Sequence, residues 1–537
     1  MTEALVPLLL LIIAGVVIAV VASRARKRPS GDRPGGDIVV YLILALAMGV
    51  AGFALAELVA TAFPGESLVF DPAANLATSL SALVVSGPIA FYFWRRQSAR
   101  RASYPASPGW TLYLAIIEVV FGVALVVVAV QLVDDLFNEN DGTTSWTRFV
   151  VYAAVVVFHE LAARATPPTS DASDLPRVIG SGIGLVTLTV GLVGLLGEGL
   201  FVEVYGAIES SADSPGYSPW LAMTIVGAPI WWYRWLRPWT SERGIPYWTY
   251  TVVVSVISLS MAVGGAAAIG VTIVQALFGD VSSSHFEVVP LEAAFSIVGW
   301  AGWLLHRRRL GQERTNQLRA YEYLMAAIGL GVSVTWAVVL TMLAFGRSFI
   351  VGANAEDVLT AATVLVVALV VWLVFTSRSR RGAPEEEATS WPRRFYHLGV
   401  GVIMALIAAG GLITTLFILL NRALGGENTD SVLQPSVTFI YTGLGAWYLL
   451  AVYLGERRTM ESDEVVTPFE VTIISSHPGM IATKFPKQAR VRVLHRGDGA
   501  GAIDDEMADE IVAAVDNKPS LVWVDDDGFR VAPARTS

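Results

Sequence analysis

Apolar runs of about 18 residues or more recur along most of this 537-residue chain, broken by short polar turns. A run of that length crosses a ~30 Å hydrocarbon layer as a helix. Lipid offers the backbone no hydrogen-bond partners, so the runs must satisfy their own N–H and C=O groups as helices. The pattern predicts a first span over 4–22. It predicts twelve more over 38–62, 79–94, 111–137, 148–163, 178–205, 219–236, 247–278, 289–305, 321–345, 357–376, 396–424 and 436–455. The expected fold class is an all-α polytopic membrane protein of about 13 transmembrane helices, an N-terminal anchor followed by six hairpins.

The clearest hairpin lies over 395–458. A basic, aromatic entry (Arg393-Arg394-Phe395-Tyr396) opens a glycine-rich apolar helix, a polar turn follows at Gly425-Gly426-Glu427-Asn428, and a shorter run carrying Trp447 returns to Arg457-Arg458. Similar pairs follow one another every ~70 residues, a period that points to an internal repeat. First helices often open on tyrosine (Tyr41, Tyr113, Tyr250, Tyr321, Tyr396). Second helices carry Trp94, Phe158, Trp232, Trp303, Trp372 or Trp447, most of them near a basic exit. First helices also concentrate small residues: Gly180, Gly182 and Gly184; Gly191, Gly194 and Gly197; Gly264-Gly265; Gly329 and Gly331; and Gly399, Gly401, Gly410 and Gly411. Small residues let backbones approach where lipid supplies no hydrophobic drive to associate. The longer first helices are therefore expected inside and the shorter, Trp-bearing ones toward lipid.

From about residue 461 the pattern changes to alternating strands. Segments 469–475 and 489–494 read as strands and 504–515 as an amphipathic helix; 521–525 and 529–532 flank Asp526-Asp527-Gly528, a hairpin signal. The predicted organisation is an anchor and basic linker over 1–37, a six-hairpin domain over 38–458 and a small α+β soluble domain over 461–537.

Composition agrees with a lipid solvent: 54% of residues are hydrophobic and the mean hydropathy is +0.57. There is no cysteine, which excludes disulfides, thiolate metal sites and cysteine nucleophiles. The net charge of −9 argues against nucleic acid as a partner. Of 37 Lys and Arg, 26 fall in one alternate set of loops and three (Arg148, Arg347, Arg422) in the other. The positive-inside rule then sets the N-terminus outside and the C-terminus in the cytoplasm of a plasma-membrane protein. The first span has no basic residue before it and Arg24-Ala25-Arg26-Lys27-Arg28 after it, the reverse of a secretory signal. The tail holds 14 acids against 8 bases, a net −6 that disfavours an anionic bilayer surface.

The hairpin texture over 38–458, and Arg393-Arg394-Phe395-Tyr396 with the Trp-bearing return helix in particular, resembles a bacterial family of integral membrane proteins of unknown function built from repeated two-helix units. That resemblance implies no activity, cofactor or site.

An ionisable group inside a span is costly and is a functional candidate by default. Glu57, Glu198 and Glu203 fall near outer ends; Glu118, about two turns into its helix, is the most submerged. It is expected to pair with an Arg or His of a neighbouring hairpin or to stay protonated. His159 and Glu160 lie near a cytoplasmic end, and Glu118, His159 and Glu160 form the candidate intramembrane polar site. His159-Glu160 is not a zinc-protease motif, because the second histidine would fall where Ala163 stands. No phosphate loop, dinucleotide fingerprint or kinase signature is present, and no metal, cofactor or catalytic residue is implied. The expected function is a non-enzymatic sensor or scaffold in the bilayer, with a possible protein partner at the tail. A secondary transporter or channel built on the repeat is the alternative.

Overall fold

A computed structural model describes residues 34–63, 72–101, 107–140, 142–165, 174–205, 216–235, 244–278, 283–311, 313, 315–345, 355–379, 390–425, 431–463, 469–475, 481–485, 489–496, 503–515, 520–525 and 527–533. The span expected over 4–22 lies outside these residues.

Each of the twelve runs expected after it is helical. In chain order they are α1 Pro34–Ala62, α2 Pro72–Arg101, α3 Pro108–Phe137, α4 Thr143–Arg164, α5 Leu175–Tyr205 and α6 Ser218–Trp235. There follow α7 Ile245–Phe278, α8 Val289–Arg307, α9 Asn316–Ala344 and α10 Ala355–Ser379. The helix α11 spans Trp391–Ala423 and α12 Leu433–Asp463. Eleven helices among the described residues are long and apolar enough to cross a membrane. The exception is α6, which packs Arg234, Pro219, Pro229 and four tryptophans into 18 residues.

Local sequence accounts for the starts and breaks. Ser107 and Thr315 cap α3 and α9 by accepting the backbone N–H of Trp110 and Leu318. Within α11 the Phe395–Val400 stretch takes the wider π form just after Pro392. The second helices α2 and α12 run longer than their apolar cores, because the polar ends of both continue the helix past the lipid-compatible stretch.

Successive helices pack in pairs, and glycines set the closest approaches. A Cβ at Gly184 or Gly227 would come within 2.6 or 2.4 Å of the facing backbone between α5 and α6. Gly265 and Gly299 do the same between α7 and α8, and Gly329 between α9 and α10. The inside–outside expectation holds for α1, α3, α7 and α9, each more buried than the helix after it, and reverses for α11 and α12.

Hydrogen bonds link one pair to the next. The indole N–H of Trp303 on α8 donates to the Tyr321 hydroxyl on α9 at 2.7 Å, and that of Trp372 on α10 to Tyr396 on α11 at 3.1 Å. Trp94 on α2 packs at 6.2 Å from Tyr113 on α3, and Trp235 on α6 at 4.8 Å from Tyr250 on α7. The tyrosine that opens a first helix thus meets a tryptophan from the helix before it.

The described chain forms two compact units: the helices up to Tyr396 together with Ile403–Gly445, and His397–Val402 together with Ala446 onward. In the second unit, β1 Phe469–Ser475, β2 Ala489–His495, β3 Ser520–Asp525 and β4 Gly528–Pro533 form one sheet in the order β2-β1-β3-β4. β1 pairs parallel with β2 and β3, and β4 pairs antiparallel with β3 across the expected turn. Gly528 there has a φ of +128°, a conformation that disfavours any side chain. One sheet face, with Val471, Ile473, Val522 and Val524 fully buried, packs on the helix α13 Asp505–Val515 through Ala508, Ile511 and Val515.

Candidate functional site

Glu118 lies ten residues into α3, about 15 Å along the axis at 1.5 Å per residue. An isolated carboxylate at that depth is expensive to ionise. The fold supplies its partner from α6: Arg234 Nη2 lies 2.9 Å from Glu118 Oε1. The other arm of the same guanidinium, Nη1, donates to Glu160 Oε2 of α4 at 2.6 Å. Arg234 therefore forks across two carboxylates from two different helices, a geometry to which the planar guanidinium is suited. Glu160 Oε1 in turn accepts from Arg164, one helical turn on, at 3.1 Å. Arg164 also donates to the Tyr233 hydroxyl at 2.7 Å. The four charges cancel within the cluster.

Gly180 of α5 makes room for it. A Cβ there would lie 2.5 Å from Glu118 Oε1 and 3.2 Å from Arg234 Nε. The cluster closes one side of a cavity of about 420 Å³, whose remaining lining is apolar and includes Leu125, Val156, Val157, Leu161, Ile183 and Ile230. α4 and α6 share little backbone contact, and the cleft between them is floored by α3 and α5. Val157, Leu161 and Tyr233 on its rim are exposed, so it opens sideways, where the bilayer would lie.

The structure brings Glu118 and Glu160 together and turns His159 elsewhere. Adjacent helical residues point about 100° apart. His159 is buried among Trp94, Tyr113 and Phe158. Its Nδ1 faces the Val155 carbonyl at 2.8 Å and its Nε2 the Tyr113 hydroxyl at 2.6 Å. A carbonyl only accepts, so Nδ1 carries the proton, and the Tyr113 hydroxyl, which can donate or accept, meets Nε2. His306 at the end of α8 repeats the pattern, with Nδ1 at 2.9 Å from the Gly302 carbonyl and the rings of Trp235 and Tyr250 around it. Glu57, read as an outer-end residue, pairs with Arg148 at 2.8 Å.

Arg234 is the residue that sequence reasoning passed over. It stands at a basic helix exit, where an arginine is ordinarily an interfacial anchor. Its flanking by Trp231, Trp232, Tyr233 and Trp235 was the available signal that this end is packed rather than solvated.

Tyr41 of α1 packs at 6.1 Å from Tyr113 of α3, and Tyr323 of α9 at 5.3 Å from Tyr396 of α11. Residues 37–162 and 319–451 both match the family model of a domain of unknown function, DUF5671. Together the two matches cover just under half of the chain. No curated protein and no solved structure matches it. The first DUF5671 match takes in α1–α4 and the second α9–α12, and the tyrosine pair occupies the first and third helices of each. The charged cluster is not common to the two. The third helix of the second match, Trp391–Ala423, contains no acidic residue, and Gly180 and Arg234 lie between the matches.

Proposed function

We propose that the protein is a non-enzymatic multi-pass membrane module, a sensor or scaffold, that takes an amphiphile into the cleft between α4 and α6. The carrying observation is the join of an apolar, laterally open cavity to a charge-neutral polar end formed by Glu118, Arg234, Glu160, Arg164 and Tyr233. Its volume lies within the usual range for small-molecule sites. Both carboxylates are engaged by arginine, which suits a binding site better than general acid–base work. A chain-like ligand would lie against Val157, Leu161 and Ile230, with its polar head at Arg164 and Tyr233. In this reading the arginine-rich loops and the sheet unit face the cytoplasm, by the segregation of basic residues. The six helix pairs descend from a duplicated unit, as two matches to one family model and the repeated tyrosine contact suggest.

The test is photo-crosslinking of the reconstituted chain with a diazirine fatty acid, mapped by mass spectrometry. Adducts on α4 and α6 around Val157 and Ile230, lost in Val157→Trp, are the expected result. Uniform labelling of all lipid-facing helices would refute the site.

Secondary transport is the competing reading, favoured by the burial of the Glu118 carboxyl within the helix bundle. It predicts ion-coupled flux in proteoliposomes that Glu118→Gln abolishes without loss of folding. The module reading predicts no flux in either protein.

A further inference from the structure

Among the described residues, the sheet of the second unit has helices on one face only. On the other face, alternate residues of each strand point outward: Arg490, Arg492 and Leu494 on β2, Leu521 and Trp523 on β3, and Arg530 and Ala532 on β4 are all exposed. Strand register aligns them in rows. Leu494, Ile474, Trp523 and Arg530 form one row across β2-β1-β3-β4, and Arg492, Thr472, Leu521 and Ala532 the next. Glu470 beside Arg490 is an acid of this face at one end, and Asp525 lies at the other.

Charge is divided by face. The acids Asp505, Glu506, Asp509 and Glu510 lie on α13, covering the opposite side, where Asp509 holds Lys484 at 3.0 Å. Of the five described lysines and arginines from β1 onward, Lys484 belongs to that acidic side; Arg490, Arg492 and Arg530 lie on the open face, and Arg496 at its edge. The net −6 of the tail therefore hides a basic, apolar plane.

Trp523 is fixed at the middle of that plane. Its indole N–H donates to Asp525 Oδ1 at 3.0 Å, and the Arg496 guanidinium lies 5.0 Å from the ring centroid. Arg496 is itself held by Asp525 and by the Val524 carbonyl. The ring remains 42% exposed, so these contacts orient it without covering it.

We propose that this open face docks on the anionic lipid surface of the membrane that the same chain crosses. A pre-oriented tryptophan with two leucines on the same face suits the headgroup layer, and three arginines in that plane suit anionic headgroups. Only residues 464–468 separate the end of α12 from β1, a reach of at most ~18 Å, so the tether keeps the face near a bilayer.

The chain has no cysteine, so Ala532→Cys places one environment-sensitive fluorophore on the open face of the full-length protein. In nanodiscs containing phosphatidylglycerol the emission shifts to shorter wavelength, and in pure phosphatidylcholine it does not. Replacing Arg490, Arg492 and Arg530 by glutamine one after another lowers the docked-to-free ratio by about fivefold per arginine, at roughly 1 kcal/mol each. High salt acts in the same direction. No shift in either lipid, an equal shift in both, or a shift that survives the triple glutamine variant overturns the proposal. A probe that ignores phosphatidylglycerol and responds to added RNA or to a protein partner assigns the face to that partner instead, and also overturns it. A second readout guards against misfolding: hydrogen exchange in β1 and β3 must be the same in the glutamine variants as in the parent.

Discussion

Trp303 on α8 donates its indole N–H to the hydroxyl of Tyr321 on α9, which is 1% exposed, and so ties one helix pair to the next. The bond joins α8 to α9, and α8 itself runs on into a 3-10 segment over Arg308–Leu310. In lipid such bonds average well under 2 kcal/mol, because the unfolded reference state also finds partners. Trp303→Phe and Tyr321→Phe keep the ring packing and remove the bond. A double-mutant cycle on thermal unfolding in detergent should give a coupling of about 0.6–1.7 kcal/mol. A coupling indistinguishable from zero would mean that the two rings only pack.

Arg234 is the shared partner of two carboxylates, so its loss should cost more than the loss of either. Arg234→Met leaves Glu118 and Glu160 without their common counter-ion, and removing one member of a buried pair costs about 3–5 kcal/mol. Adding Glu118→Gln should recover most of that loss. Yield and melting temperature in detergent measure both effects. If the double variant is no more stable than Arg234→Met alone, the Glu118 charge is not what Arg234 neutralises.

Gly180 and Gly182 lie two residues apart on α5 and should respond in opposite ways. A Cβ at Gly180 meets the Glu118 carboxylate at 2.5 Å, whereas at Gly182 it meets nothing within 4 Å. Gly180→Ala should destabilise by about 1–3 kcal/mol through overpacking. Gly182→Ala should be neutral or stabilising by up to about 1 kcal/mol, because alanine restricts the unfolded chain. Equal melting temperatures for the two variants would contradict the placement of the cluster against α5.

The sheet unit carries its own pH response. The Arg496 guanidinium, with help from the Trp523 N–H, holds the Asp525 carboxyl below the usual carboxylate range. A depressed folded-state pKa means that the folded state binds fewer protons, so the contribution is present above the unfolded value of about 3.9 and fades as pH falls through the folded value. Asp525→Asn should flatten the acid limb of sheet unfolding followed by hydrogen exchange in β3 and β4. The Lys484 ammonium is held above its usual range, first by Asp509 and then by Asp505. Its contribution is complete below about pH 10 and is lost as the solution becomes more alkaline. An acid limb unchanged in Asp525→Asn would disprove the Asp525 role.

Much of this was legible in the order of residues, for reasons that differ by element. Apart from α6, the helices α1–α12 follow from apolar run length, because a backbone in lipid has no other way to satisfy itself. Period-two alternation marked β2, and the β3–β4 hairpin followed from Asp526-Asp527-Gly528. Glu118 stood out by depth alone. Its partner did not, because Arg234 and Glu118 are 116 positions apart and nothing local distinguishes a buried arginine at a helix end from an interfacial one. His159 and Glu160 looked like one site because they are neighbours in sequence; the 3.6-residue turn sends one into an aromatic core and the other into the cleft.

Hydrophobic periodicity is a local quantity, and it determined the local facts: where helices run, which residues are small enough for close contact, and where the chain leaves the lipid pattern for a sheet. Pairing is not local. Which arginine neutralises Glu118, which tyrosine receives the Trp303 N–H and which face of the sheet gathers the arginines depend on segments brought together by packing across tens to more than a hundred residues, and only the tertiary structure decided them.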